Sequence, residues 1–159
     1  MDLARLLGPR AKDAPARMEQ FAASFGVRGM KHPARIPNTR RALAVAELAR
    51  ERGVLDAYRG SAMNAHWREG LDLENDEHLK QIAARAGLDP EQALSASRDL
   101  TYLDRIDAVR REANELGVTG IPTFVFGDLD DEPFGVVGCQ HYEVLEQAAR
   151  EAGAQRRMR

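Results

Sequence analysis

The chain has 159 residues, 43% hydrophobic and 30% charged, with Lys+Arg 23 against Asp+Glu 25 and a net charge of −2. The length suits one domain, and the charge balance excludes the basic footprint of a nucleic-acid or anionic-membrane binder. No apolar run approaches the roughly 20 residues of a membrane span, and the single cysteine, Cys139, excludes an internal disulfide and a Cys-X-X-Cys pair.

The first residues, Met1 to Pro9, have no signal-peptide core, so the chain reads as cytoplasmic. Pro15 to Phe25 has helical spacing at Met18, Phe21, Ala22 and Phe25. The stretch GVRGMKHPARIPNT carries two glycines and two prolines and predicts irregular, extended backbone. Asn38 or Thr39 then caps a helix by accepting an orphan N–H. Its apolar face is Ala42, Leu43, Val45, Ala46 and Ala49, and it runs to Gly53. A second helix is predicted over Leu55 to Arg68. A third starts at Asn75 or Asp76 and stops at Gly87, and Pro90 opens a short fourth because its missing N–H costs nothing there. Leu103, Ile106, Val109, Ala113 and Leu116 mark a longer helix that Gly117 ends.

After Gly117 the period changes. Pro122 to Phe126 reads as a strand, GDLDDEP as a turn and Phe134 to Val137 as a second strand, together an antiparallel hairpin. A last helix covers His141 to Ala152, apolar at Leu145, Ala148, Ala149 and Ala152, before the basic tail AQRRMR. Proline at the head of a strand belongs beside unpaired backbone, so the stretch TGIPTFVFG poses the functional question. A two-stranded hairpin is marginal alone and needs more strands or a helix face.

GVTGIPTFVFGD and VVGCQHYEVLEQA, with PARIPNTRRALAVAELARERG and AHWREGLDLENDEHLKQIAARAGLD upstream, resemble the DsbA-like thioredoxin-fold family. The FrnE-type branch is the most similar; hydroxychromene-carboxylate isomerases and kappa-class glutathione transferases are its relatives. The resemblance covers about residues 15 to 152. It implies an α/β, thioredoxin-like fold with a large helical insertion. The family's N-terminal strand-helix-strand, which carries Cys-X-X-Cys or a catalytic Ser, is expected to be missing from this chain. The expected organisation is a remnant over 1–37, the insertion over 38–118, the C-terminal part of the thioredoxin fold over 119–153 and a tail over 154–159.

The resemblance implies a cis bond before Pro122, whereas the residues alone suit a trans proline starting an edge strand. The cis bend would turn Thr119, Gly120 and Ile121 outward, and Ile121 would pair its backbone with an extended peptide or with glutathione by strand addition. Cys139 precedes the last helix and reads either as a reactive thiol favoured by the helix N-terminus or as a small filler residue. Gln140 stands where glutathione-binding relatives use an acidic residue at the helix start. Asn38 resembles an Asn that faces the active cleft in several members, and equally suits a plain N-cap worth about 1 kcal/mol. Arg40 and Arg41 read as a solvated helix face. His66-Trp67 reads as core packing. His32, His66, His78 and His141 share no metal-ligand spacing, and LDLENDEH lacks the pattern of a calcium loop.

Disulfide exchange needs a thiolate and usually a second cysteine to resolve the mixed disulfide. The expected function is therefore a DsbA-like thiol–disulfide oxidoreductase family protein that is redox-inactive as this chain, with no cofactor and with an extended peptide or thiol substrate as partner. Two alternatives stay open. One is a non-catalytic module that binds a peptide or completes its sheet in a homo-oligomer. The other is a glutathione-dependent isomerase or transferase relative.

Overall fold

A computed structural model describes residues 13–31, 36–128 and 132–155; His32 and the tail from 156 lie outside the described residues. The chain divides into two compact units, Met1–Ala108 and Val109–Arg159. Among the described residues no helix is long and apolar enough to cross a membrane.

The first unit is helical. Helix α1 spans Ala14–Ser24, α2 Arg40–Glu51 and α3 Leu55–Asn64, and α3 runs straight into a π-helical turn at Ala65–Glu69. Helix α4 spans Asp76–Arg85, α5 Pro90–Ala96 and α6 Leu100–Glu115. The sequence predicts one helix over Leu55 to Arg68, and the structure splits it into α3 and the π turn. The caps of α4 and α5 follow the chemistry of their first residues. Asn75 accepts the His78 N–H at 3.1 Å, and Asp89 accepts the Gln92 N–H at 2.7 Å ahead of Pro90. Each side chain satisfies one of the amides that a helix start leaves free.

The core lies between α2, α3, α4 and α5, with α2 against α3 and α5, and α4 against α3 and α5. Alanines at 42, 49, 83, 93 and 96 are buried there. They let the helix backbones approach, and Val45, Tyr58, Leu79 and Ile82 fill the space between them. Fully burying a side chain the size of Leu79 contributes about 1.5–3 kcal/mol. Tyr58 is 2% exposed, and its hydroxyl donates to the Ala42 carbonyl at 3.0 Å, tying α3 to α2. Burial pushes its phenol pKa up.

The apolar faces differ in detail from their predicted membership. In α2 Leu43 is exposed, while Ala44 and Leu48 are buried beside Ala42, Val45 and Ala49. In α6 Leu103 is buried, but Val109 is exposed, as is Leu116 just past its end. Met18, Phe21 and Phe25 keep their helical spacing in and beyond α1 yet stay exposed, and α1 contributes no buried residue.

Arg41 corrects the solvated-face reading. Its guanidinium donates to the Glu74 carbonyl at 3.1 Å, to Asp76 Oδ1 at 2.7 Å and to Ser97 Oγ at 3.1 Å. It thereby joins α2 to the start of α4 and the end of α5. Arg98 binds the other oxygen of Asp76. Arg40 makes a two-pronged pair with Asp107 of α6, at 3.0 and 2.6 Å. Planar guanidinium–carboxylate pairs of this kind hold geometry as well as charge.

The second unit holds the end of α6, strands β1 (Thr123–Phe126) and β2 (Phe134–Val137), and helix α7 (Tyr142–Glu151). The strands pair antiparallel, from Thr123 with Val137 to Phe126 with Phe134. The rings of Phe126 and Phe134 stack with centroids 5.7 Å apart at the far end of the ladder. Among the described residues the sheet has these two strands.

The Arg41 bond to Asp76, helped by Arg98, holds that carboxyl below its ordinary pKa. A carboxylate depressed in the folded state adds stability above its unfolded pKa of about 3.9, and the gain is lost as pH falls through the folded value. Asp76→Asn should therefore lower the melting temperature at neutral pH, and the gap from the parent protein should close below about pH 4. Thermal melts across pH 2–7 read both; a gap that stays constant with pH would contradict the assignment.

Candidate functional site

Two residues past the end of α6 stands Gly117, whose φ of +72° is a left-handed value that other residues adopt at a cost. The Val118 N–H returns to the Ala113 carbonyl at 2.9 Å, and the chain leaves the helix toward the hairpin. The segment Thr119-Gly120-Ile121-Pro122 follows, and the Ile121–Pro122 peptide bond is cis.

Three contacts hold this segment. The Thr123 hydroxyl donates to the Gly120 carbonyl at 2.6 Å. The Gly138 N–H donates to the Pro122 carbonyl at 2.7 Å, adding one more bond beyond the Thr123–Val137 pair. A Cβ on Gly120 would sit 3.3 Å from Val137 Cγ1, so the backbone there lies close against β2 and glycine fits best. Between these pinned points Ile121 projects into solvent at 92% exposure. A large apolar side chain that open, on a segment this constrained, offers both a hydrophobic contact and an ordered strip of main chain.

Cys139 and Gln140 lie just past β2. Cys139 is exposed and comes three residues before Tyr142, the first residue of α7, with His141 at the N-cap. The thiol thus stands outside the helix proper. Gln140 turns back: its side-chain N–H donates to the Val137 carbonyl at 2.9 Å and closes the end of β2. Thr119, Gly120, Ile121, Pro122, Cys139 and Gln140 share the second unit, whereas Asn38 belongs to the first. There Asn38 Oδ1 accepts the Arg40 N–H at 3.0 Å, two residues on, and serves the start of α2 as a cap would. Thr39 stands at the N-cap without a side-chain bond of its own.

Residue-type reasoning missed the groups that fasten the segment. The signal for one was present, since Thr123 directly follows the proline and its hydroxyl can reach three residues back. The Gly138 amide carries no comparable signal, because its role depends on the register of the hairpin. His66 is buried and packs edge-on against Trp67 with centroids 4.6 Å apart, while its Nδ1 lies 3.3 Å from the Leu71 carbonyl. Among the described residues no group of three His, Cys, Asp or Glu is placed to hold a metal ion. A shallow depression of about 490 Å³ in the first unit, lined by Glu91, Leu94, Ser95, Arg98 and Asp99, includes none of these residues.

The family model described as "DSBA-like thioredoxin domain" matches residues 2–150. The structure is similar to the crystal structure of a probable DsbA oxidoreductase from Streptomyces coelicolor, with a TM-score of 0.78 and 28% sequence identity. That match covers 99% of this chain and 69% of the other. No curated protein matches by sequence.

Thr123→Val keeps the branched shape and removes the hydroxyl donor to Gly120. A hydrogen bond of this type contributes about 1 kcal/mol, so the melting temperature should fall by about 2–4 °C. Exchange of the Gly138 amide, which donates to Pro122, should quicken with it, and an unchanged melt with unchanged exchange would show that the bond holds nothing.

Proposed function

The chain belongs to the DsbA-like thioredoxin family, and from that premise we propose that it binds extended polypeptide along Thr119-Gly120-Ile121-Pro122 without carrying out disulfide exchange by itself. The observation that carries this reading is Ile121, held open at 92% exposure between neighbours tied to Thr123 of β1 and to Gly138 just past β2. An incoming strand would lay its main chain on this segment, with an apolar side chain against Ile121. Main-chain pairing of that kind gives affinity with little regard for sequence, and side-chain contacts refine it.

Exchange by the usual route has an attacking thiolate open a disulfide, form a mixed disulfide and then be displaced by a second thiol. Cys139 is the chain's one cysteine, so the second thiol is not supplied here. The S. coelicolor protein's description as a probable DsbA oxidoreductase supports a role within thiol–disulfide chemistry. Gln140 faces β2, which favours a polypeptide over glutathione at this loop. One cysteine in 159 residues also suits a reducing compartment, and the cytoplasm is proposed.

Fluorescence anisotropy with a labelled, extended Val/Thr peptide tests the binding. Ile121→Asp should raise Kd about tenfold, equal to ~1.4 kcal/mol, while the melting temperature hardly moves because the side chain is already in water. Failure of the parent protein to bind, or equal binding by the variant, would end this reading. In a disulfide-reduction assay with excess glutathione, the chain should add no turnover to the background rate. Turnover that Cys139→Ser abolishes would overturn the claim of inactivity.

A further inference from the structure

We propose that residues 26–31 form a strap latched to the π turn at Ala65–Glu69, able to open while the core between α2 and α5 stays folded. In an α-helix the Trp67 carbonyl would accept from the N–H four residues on, at Leu71. Here the Leu71 N–H reaches back to the Ala65 carbonyl at 2.8 Å. The Trp67 carbonyl is left to accept from outside the helix, and the Lys31 N–H donates to it at 2.6 Å. The helix ends at Glu69, so Trp67 is among the last carbonyls, which a helix end leaves for an outside partner.

Gly70 completes the seat. Its φ of +75° turns the chain out of the π turn, and a Cβ there would stand 3.7 Å from Lys31 Cβ and 3.8 Å from Lys31 Cγ. Those are ordinary van der Waals distances, so a Cβ would touch Lys31 without displacing it, and it is the left-handed φ that favours glycine here. The element that the strap tethers is α1, which puts no residue into the core. Its exposed Met18 and Phe21, with Phe25 beyond its end, mark one side of this arm. Because α1 has no buried residue, opening the latch removes no buried side chain of α1 from the core. Openings of low cost are expected where few apolar contacts must be broken.

Hydrogen–deuterium exchange on the full chain tests the proposal, with limited tryptic cleavage after Arg28 as a second readout. In the parent protein the Lys31 amide should exchange at least about tenfold more slowly than in an unstructured peptide. Lys31→Pro removes the donor and leaves the π turn intact; Gly70→Asn keeps the left-handed φ at low cost and places a side chain beyond Cβ toward Lys31. Each should raise exchange across 26–30 and cleavage at Arg28 about tenfold, with α2 to α5 exchanging as before. An unprotected Lys31 amide in the parent protein, or protection that persists in both variants, overturns the latch. So does strap release that comes only with loss of helicity in the core, or failure of both variants to fold, because the strap would then belong to the core's cooperative unit.

Discussion

The bond from the Gly138 amide to the Pro122 carbonyl, 2.7 Å long, is the constraint on which the candidate site depends. It carries the ladder one step past Thr123 and Val137 and ties down the residue directly after Ile121. Thr123 secures the residue directly before it through its hydroxyl. Ile121 is thus fixed at both neighbours and free in its side chain. A loop with only one of these ties could fold its isoleucine onto the strands, as hydrophobic burial would favour. Gly138, at φ +89°, makes the tie possible, because the chain turns toward α7 there while its N–H still points at β1.

The helical unit solves a different problem. Its helices are short and rich in alanine, so no single side chain carries the core. Close backbone approach replaces bulk, and two arginines at the start of α2 supply orientation. Arg41 reaches three groups on α4 and α5, and Arg40 reaches α6. Exposed ion pairs contribute little on their own, but a guanidinium shared among several acceptors restricts the angles at which helices can meet.

Much of this was legible in the residues. Asn75, Asp89 and Pro90 announce two helix starts because capping is local chemistry. The hairpin was legible because Gly117, Gly120 and Pro122 punctuate one side and an acidic, Gly- and Pro-containing turn separates the strands. The family resemblance rested on those same blocks and on their order, and the fold agrees with it. The π turn was hidden, since Ala65 to Glu69 contains neither Gly nor Pro and one extra residue in the helical ladder leaves no mark on composition. The partners of Arg41 were hidden too, because Asp76 and Ser97 lie far along the chain and only tertiary packing brings them near. Spacing alone also misjudged the apolar stripes of α1 and α6: periodicity says which residues share a face, not whether anything covers it.

At the far end of the hairpin, the stacked rings of Phe126 and Phe134 separate the ladder from what lies beyond it. Past them the two chains still run close, with a Cβ on Gly127 placed 3.5 Å from the Pro133 Cα. Because the span is already closed at its base, lengthening it changes only loop entropy, about 0.6 kcal/mol for each doubling. The stacked rings thus stand between the paired strands and any change in the length of that acidic connection.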